Sequence, residues 1–299
     1  MASATAFVVT ATIVAGCAPA WTARPDATGT EHYVSLGDSW VSGPLVGEQV
    51  GDPIDCGRSN ENFPSLIARQ LDVATFTDVS CGGAGTDDLF KAGKANLGGK
   101  TKPQLDALRP DTTLVTLGIG GNDAKVSDLA IKCVNLLPFP FGPAPFGQPC
   151  VDRFTKGGVD ETAQRIDETL PKIEDALTEI RRRSPRAAVY VLGYGDAIPE
   201  TGAGCWPRVP LLPPDVAYIR ATMHHLNAMI EQVAAAAGDH YVDLFAMTRG
   251  HDLCQPWGQA WMNVVSLYPA GFPGHPNAFY HHGVAPLIAA QIRADANPG

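Results

Sequence analysis

The sequence predicts an α/β layered fold, in which the strands of a parallel sheet alternate with helices. Short apolar runs rich in β-branched residues recur along the chain, bounded by Gly or Pro, as buried parallel strands are. Helix-length segments with apolar residues at helical spacing separate them. Alternation of the two kinds of segment is typical of α/β proteins.

Four segments are predicted to be strands. They cover residues 32–36 (HYVSL), 113–117 (TLVTL), 187–192 (AAVYVL) and 240–244 (HYVDL). Their apolar residues run on without strict alternation, because a parallel strand is covered on both faces.

Two long helices and one shorter helix are predicted. Residues 159–184 carry acids early and arginines late, as the helix dipole favours, and Ser184-Pro185 ends the segment. The apolar residues at helical spacing in this segment are Ile166, Leu170, Ile173, Leu177 and Ile180. Residues 214–237 begin with Pro-Asp and end at Gly238, and residues 284–294 form a helical stretch near the C-terminus.

The amino-acid composition is that of a globular, loop-rich protein. The chain has 299 residues, of which 45% are hydrophobic and 8% aromatic, so it has material for a large core and is not a disordered protein. With 31 Gly and 25 Pro it is rich in turns and loops. The 22 Lys and Arg against 31 Asp and Glu give a net charge of -9, which argues against a nucleic-acid partner. No break in composition divides residues 30–299, so we expect one domain there.

The N-terminal segment 1–20 has the pattern of an export signal. Residues 4–16 carry no charge and are too short for a membrane span. The run Val14-Ala15-Gly16-Cys17 is similar to a bacterial lipobox, which would make Cys17 a lipid-modified first residue. Ala18-Pro19-Ala20 offers a competing cleavage site after Ala20, and no basic residue precedes Arg24. We expect a protein that is secreted or anchored to the cell envelope.

Six cysteines remain if Cys17 is processed separately. An exported chain meets an oxidising compartment, so these thiols can pair, and 15 connectivities are possible. A metal site is disfavoured because the sequence has no C-x2-C pair or tight Cys/His cluster.

A candidate nucleophile follows the first predicted strand directly. In Gly37-Asp38-Ser39-Trp40, the glycine permits the tight strand-to-helix turn that lifts a hydroxyl clear of the sheet. Ligands of open α/β sheets bind at such strand ends. A lone tripeptide of this kind is more often structural, with the serine as a helix cap.

Three further motifs occur at intervals after Ser39. They are Cys81-Gly82-Gly83-Ala84, Gly120-Gly121-Asn122-Asp123 and His275-Pro276-Asn277. The glycine loops allow backbone N–H groups close to a bound group, the amide of Asn122 is a donor, and His275 supplies an imidazole. Each has an ordinary alternative: glycines make turns, Asn122 can cap a helix, and His275 can be a solvated loop residue.

With all four motifs in this order, the chain resembles the SGNH (GDSL-type) hydrolases, and its cysteine placement resembles their actinobacterial secreted esterase and lipase branch. The resemblance implies a flavodoxin-like three-layer α/β/α sandwich with a central parallel sheet, no metal and no organic cofactor. It also favours bridges between cysteines that are neighbours in sequence, closing long loops: Cys56 with Cys81, Cys133 with Cys150, and Cys205 with Cys254.

The same resemblance implies roles for four residues. Ser39 would be the nucleophile and His275 its general base. The N–H groups of Ser39 and Gly83 and the side-chain amide of Asn122 would form the oxyanion hole. The expected activity is serine-dependent hydrolysis of carboxylic esters through an acyl-enzyme. Lipid acyl esters are among the candidate substrates.

One departure from the family pattern concerns the acid of the catalytic triad. The family acid lies three residues before the histidine, where this chain has Phe272. We therefore expect a dyad of Ser39 and His275, with the imidazole N–H oriented by the backbone carbonyl of Phe272. Asp243 and Asp252 are the alternative acids, although both are better explained by turn formation and loop solvation.

Several neighbours of these motifs have competing interpretations. Trp40 either narrows the pocket or packs under the turn, and packing is favoured. Asp38 and Asp123 are expected to brace their loops through backbone hydrogen bonds. His281 and His282 also lie near the C-terminus, but they lack the Pro-Asn that follows His275.

Alternative functions stay open. The uncharged, proline-rich loop 134–151 favours apolar acyl chains if it lines the site, although it can equally be a stiff loop folded onto the core. The second enzymatic hypothesis is an acetyl-carbohydrate esterase or an acyltransferase on envelope glycolipids. A non-catalytic envelope-binding lipoprotein is the hypothesis from a different class. We expect a monomer acting on a small-molecule or lipid ester, attached to a membrane only if Cys17 is lipidated.

Overall fold

A computed structural model describes residues 31–139, 141–142, 145–200, 202–264 and 269–297. The predicted export segment 1–20, with Cys17, lies outside the described residues. No helix in these ranges is long and apolar enough to cross a membrane.

The described strands form two sheets. The strands are β1 (His32–Gly37), β2 (Thr75–Asp78), β3 (Gly93–Lys94), β4 (Lys100–Thr101), β5 (Leu114–Gly118), β6 (Ala188–Leu192) and β7 (His240–Val242). The larger sheet has the order β2-β1-β5-β6-β7, and each neighbouring pair in it is parallel. Strands β3 and β4 pair separately as a short antiparallel hairpin.

The helices alternate with these strands along the chain. They are α1 (Ser39–Ser42), α2 (Phe63–Gln70), α3 (Asp87–Phe90), α4 (Val126–Lys132), α5 (Val151–Phe154), α6 (Glu161–Arg183), α7 (Pro213–Ala237), α8 (Leu244–Met247) and α9 (Ala278–Ala296). Asp160 caps the N-terminus of α6 by accepting from two backbone N–H groups, and Gly238 ends α7 in a left-handed conformation.

Helices cover both faces of the parallel sheet. Along β1, Val34 and Leu36 point into one core, which contains the buried apolar residues of α6 and α7. Tyr33 points to the opposite face, into a second core shared with α2 and α9. The two cores follow from the two-residue period of a strand, and the result is the expected three-layer α/β/α sandwich.

The predicted strands and long helices are confirmed to within a few residues. Strand β2 was missed because its sequence, TFTD, is short and polar, and the structure places it half exposed at the sheet edge. Helix α9 begins six residues before the predicted start, because Asn277 accepts hydrogen bonds from the N–H groups of Phe279 and Tyr280 and so caps the helix there.

All three disulfides favoured by the resemblance are present in the described part of the chain: Cys56–Cys81, Cys133–Cys150 and Cys205–Cys254. The second closes the proline-rich loop, whose end is held by Asp215 through the N–H groups of Cys150 and Val151. Phe139 and Phe141 of this loop are exposed to solvent. Asn135 and both cysteines are buried, so the ends of the loop are folded onto the core while these two rings face solvent.

Candidate active site

The turn after β1 brings Ser39 to the carboxyl edge of the sheet. Gly37 ends β1 beside Gly118 of β5, and a Cβ atom on Gly37 would lie 2.6 Å from the Gly118 carbonyl oxygen. Glycine is therefore required by the close approach of the two strand ends. The buried side chain of Gln104 stabilises this turn, since it accepts from the Gly37 N–H (2.8 Å) and donates to the Gly37 carbonyl (2.9 Å).

Ser39 and His275 lie in direct contact. The Oγ atom of Ser39 is 2.9 Å from Nε2 of His275, although the residues are 236 positions apart in sequence. His275 sits in a turn just before α9, and its backbone carbonyl accepts from the N–H of Asn263 (3.1 Å). The contact has the distance that a serine nucleophile and its general base require.

The hydrogen-bond partner of the other imidazole nitrogen, Nδ1, differs from the predicted one. Nδ1 of His275 lies 3.0 Å from the carbonyl oxygen of Pro273, not from that of Phe272. The Phe272 carbonyl accepts instead from the backbone N–H of His275 (3.1 Å), which closes the turn. A neutral Nδ1–H donating to Pro273 leaves Nε2 as the acceptor facing Ser39.

The two alternative acids are engaged elsewhere. Asp243 caps α8 by accepting from the N–H of Ala246 (2.9 Å). Asp252 accepts from the N–H of Cys254 and from the side-chain amide of Gln255. All three bonds are local to the chain around each aspartate, as the turn-forming interpretation predicts. Asp252 is only 4% exposed, so loop solvation does not explain it.

The neighbouring histidines do not compete with His275 for the serine. His281 is fully buried, stacks on Phe63 and accepts from the Phe63 N–H through Nδ1 (3.2 Å). His282 is half exposed and pairs with Glu61 (3.5 Å). The histidine chosen from its Pro-Asn neighbours is the one that reaches Ser39.

The three groups predicted to form the oxyanion hole each retain a hydrogen to donate. Among the described residues, the backbone N–H groups of Ser39 and Gly83 have no hydrogen-bond acceptor. Gly83 adopts a φ of +82°, which favours glycine. The side-chain amide of Asn122 donates one hydrogen to the carbonyl of Ala84 (2.9 Å) and so retains a second hydrogen.

Two aspartates brace the loops that carry these donors. Asp123 accepts from the N–H of Thr86 (2.9 Å) and from its hydroxyl, which ties the Asn122 loop to the Gly83 loop. Asp38 accepts from the N–H of Trp40 (2.8 Å). Bracing through backbone hydrogen bonds is the arrangement that the sequence predicts for both residues.

Sequence reasoning missed Tyr194. Its hydroxyl accepts from the N–H of Gly121 (2.8 Å) and donates to the Asp38 carboxylate. Tyr194 follows β6, the strand beside β5, so the sheet order carries it between the two loops. A lone tyrosine after a strand carries no motif, and only knowledge of the sheet order could have identified it.

Trp40 packs under the turn. Its indole contacts Tyr194 and Tyr280 edge to face, with ring centroids 5.2 and 6.1 Å apart. Edge-to-face packing of this kind stabilises aromatic clusters beyond the area they bury. The favoured interpretation of Trp40 as a packing residue agrees with these contacts.

Burial sets the protonation of the site. Desolvation lowers the pKa of His275 below its usual value near 6.5, and the hydrogen bond to the Pro273 carbonyl opposes this only in part. Desolvation also raises the pKa of Asp38 to about 7, against the hydrogen bonds from Tyr194 and Trp40 that lower it. A neutral imidazole at near-neutral pH is the form that can accept the serine proton.

The chain is similar to known proteins in sequence and in fold. A family model described as the GDSL-like lipase/acylhydrolase family matches residues 35–281. Lipase 2 of Streptomyces coelicolor is 38% identical over 264 residues, which are 87% of this chain and 85% of that protein.

Two solved structures share the fold and about a quarter of the sequence. Phospholipase A1 from Streptomyces albidoflavus NA297 has a TM-score of 0.70 and 28% identity, over 88% of this chain and 98% of that one. The extracellular lipase of Streptomyces rimosus has a TM-score of 0.63 and 28% identity, over 86% of this chain and 98% of that one. The chain therefore belongs to the GDSL-like lipase/acylhydrolase family and is a carboxylic-ester hydrolase.

Proposed function

We propose that Ser39 and His275 form the catalytic dyad of this hydrolase, with the Pro273 carbonyl orienting the imidazole. The observation that carries the proposal is the 2.9 Å contact between Ser39 Oγ and His275 Nε2. The backbone N–H groups of Ser39 and Gly83 have no acceptor among the described residues, which supports their proposed role as oxyanion donors. The carbonyl of Pro273 fixes the tautomer but brings no full negative charge, so the dyad works without an acid.

The reaction begins with proton transfer from Ser39 Oγ to His275 Nε2 as Oγ attacks the ester carbonyl carbon. The carbonyl oxygen becomes an oxyanion that accepts from the N–H groups of Ser39 and Gly83 and from the Asn122 amide. The imidazolium then gives its Nε2 proton to the departing alkoxide, and the acyl group stays on Oγ. Water, deprotonated by His275, attacks this acyl-enzyme by the same steps and releases the acid.

The substrate we propose is a lipid acyl ester. Support comes from relatives described as lipases and from one described as a phospholipase A1. The exposed Phe139 and Phe141 of the disulfide-closed loop add apolar surface on the outside of the molecule. Apolar surface of this kind is common where proteins meet lipids or other partners.

For the chain as a whole we propose a monomeric domain over residues 30–299, exported by the segment 1–20. The description of the Streptomyces rimosus relative as extracellular supports export, as do three disulfides in the described residues. The alternatives of lipidation at Cys17 and cleavage after Ala20 differ in mass, so the mass of the mature N-terminus tests them.

Substrate profiling tests the proposed function. Purified enzyme is assayed on p-nitrophenyl acetate, butyrate and palmitate, on a diacylglycerol, and on acetylated xylan, with Ser39→Ala as the control for background hydrolysis. We expect turnover of the acyl esters of lipids and loss of that turnover in Ser39→Ala. Selective release of acetate from xylan would favour a carbohydrate esterase, transfer to a sugar hydroxyl would favour an acyltransferase, and no turnover of any ester would refute the proposal.

A further inference from the structure

A cavity of about 530 Å³ adjoins the loop that carries Gly83. Gly82, Gly83 and Ala84 form one side, and the Cys56–Cys81 disulfide and the β3–β4 hairpin form others. Gly83 belongs both to the lining of this cavity and to the proposed oxyanion hole, whereas Ser39, Asn122 and His275 do not line the cavity. The cavity therefore adjoins the proposed site at the Gly83 loop.

Cationic side chains are concentrated in the wall. Four of the eight lysines of the chain fall between residues 91 and 102, although the protein as a whole has a net charge of -9. Three of them, Lys94, Lys100 and Lys102, line the cavity. Among the described residues these three form no ion pair or hydrogen bond, so their ammonium groups are available to a ligand.

A buried guanidinium lies in the same wall. Arg58 is only 7% exposed and donates to the carbonyls of Ser80 (3.1 Å) and Pro53 (3.5 Å). Among the described residues no carboxylate forms an ion pair with it, although its charge acts on the buried carboxylate of Asp78. Gly51 leaves room for it, since a Cβ atom there would lie 2.8 Å from the guanidinium. An arginine held in place by backbone carbonyls keeps other N–H donors for an anion.

Four aspartates also line the cavity, and three have partners of their own. Asp106 pairs with Arg183 (2.8 Å), Asp78 accepts from Asn62 (2.7 Å), and Asp88 accepts from the N–H of Gly85 (2.9 Å). Asp52, the fourth, is exposed and has no partner among the described residues. The wall thus offers several cations and one carboxylate to a ligand.

We infer that this cavity receives the phosphate head group of a glycerophospholipid whose acyl ester is held at Ser39. The phosphodiester lies a few bonds from the ester oxygen and carries a negative charge that lysine and arginine recognise. The carboxylate of Asp52 would form an ion pair with the ammonium group of a choline or ethanolamine head group. A triacylglycerol has no group that would pair with these charges, so the inference, which rests on the proposed ester hydrolysis, names the substrate class.

The experiment compares two soluble substrates that differ only in the head group, dihexanoylphosphatidylcholine below its micellar concentration and 1,2-dihexanoylglycerol. The variant is the triple substitution Lys94→Gln, Lys100→Gln and Lys102→Gln, at exposed positions where folding is not at risk. The matched control, Lys132→Gln with Lys156→Gln and Arg249→Gln, removes the same charge elsewhere.

We expect the ratio of kcat/KM on the phospholipid to that on the diacylglycerol to fall roughly tenfold or more in the variant, because charge-assisted hydrogen bonds to the phosphate are lost. The control should keep the wild-type ratio. An equal loss on both substrates would overturn the inference.

Competition separates the head group from a free phosphate. Glycerophosphocholine should inhibit phospholipid hydrolysis competitively and more weakly in the triple variant. Inhibition by inorganic phosphate alone would indicate a free-anion site and overturn the inference. Wild-type enzyme that hydrolyses the diacylglycerol but not the phospholipid would also overturn it while leaving the proposed function intact, whereas inactivity on both esters would refute the proposed function itself.

Discussion

The Tyr194 hydroxyl donates to the carboxylate of Asp38, which lies 156 positions earlier in the chain. The same hydroxyl accepts from the N–H of Gly121 (2.8 Å), the residue before Asn122. Asp38 is buried and also accepts from the N–H of Trp40, so Tyr194 joins the turn of Ser39 to the loop of Asn122. We infer that Tyr194 is a positioning residue that sets the relation between nucleophile and oxyanion donor.

Replacing this tyrosine tests the positioning role. In Tyr194→Phe the Gly121 N–H loses its acceptor and Asp38 loses a donor, so we expect kcat to fall about tenfold while KM changes little. Kinetics on p-nitrophenyl butyrate, with the folded fraction measured in parallel, check this. Tyr218→Phe is the matched control, because Tyr218 donates to Asp160 (2.8 Å) away from Ser39 and should keep wild-type kcat. A Tyr194→Phe enzyme that loses activity only in proportion to its folded fraction would refute the role.

The dyad predicts unequal effects of substitution at His275 and at the two alternative acids. His275→Ala removes the base and should lower kcat by roughly 10³-fold or more. Asp243→Asn and Asp252→Asn should remain within about threefold of wild type, since both aspartates bond only to nearby groups. Steady-state kinetics on one soluble ester measures all three. If either aspartate variant loses as much as His275→Ala, an acid takes part and the dyad is wrong.

The pH dependence of kcat/KM reports on His275. Because the imidazole must be neutral to accept the serine proton, activity is lost as pH falls through its pKa. Burial lowers that pKa, so we expect the acid limb of the profile to lie below pH 6.5 with a one-proton slope. Burial raises the pKa of Asp38 to about 7, so the profile is also measured in Asp38→Asn. A limb above pH 6.5 that persists in that variant would mean that the charged imidazole is stabilised, as by a carboxylate, and would contradict the account.

Much of this site could be predicted from the sequence, and the part that could not depends on tertiary geometry. Ser39, Gly83, Asn122 and His275 stand in recognisable motifs, so the sequence indicates them together. The carbonyl that orients His275 was assigned to Phe272, one residue too early, because the choice depends on how the turn closes at Gly274, whose φ is +73°. Such conformations are not visible in a motif.

In the fold, too, features with a local sequence pattern could be predicted and features that depend on tertiary geometry could not. Buried strands such as β1 and β5 are mostly apolar and were predicted. The edge strand β2 is mostly polar and is held in the sheet by pairing with β1. Tyr194 depends on strand order as well, because it reaches Asp38 and Gly121 only from the end of β6. The place of β2 and the contacts of Tyr194 both depend on pairing between strands that are distant in sequence. Local sequence patterns do not show such pairing.

A buried histidine outside the dyad predicts acid sensitivity of the fold. Burial lowers the pKa of His281 to about 3, whereas the unfolded chain has the usual value near 6.5. Between these values the unfolded state binds the proton and the folded state does not, so stability is lost as pH falls below 6.5, by about 2 kcal/mol at pH 5.

His281→Gln tests this contribution, since its amide oxygen can still accept from the Phe63 N–H. The difference in free energy of unfolding between wild type and variant, from denaturant titrations at pH 7 and pH 5, should shrink by about that amount at the lower pH. His282→Gln is the control and should follow the wild type. Parallel pH curves for wild type and His281→Gln would rule the contribution out.

Covalent labelling tests the central claim most directly. A fluorophosphonate probe reacts with a serine whose hydroxyl is activated by a neighbouring base, and peptide mass spectrometry locates the adduct. We predict a single adduct on Ser39, absent in Ser39→Ala and strongly slowed in His275→Ala. An adduct on another serine, or labelling of Ser39 at the wild-type rate in His275→Ala, would contradict the account.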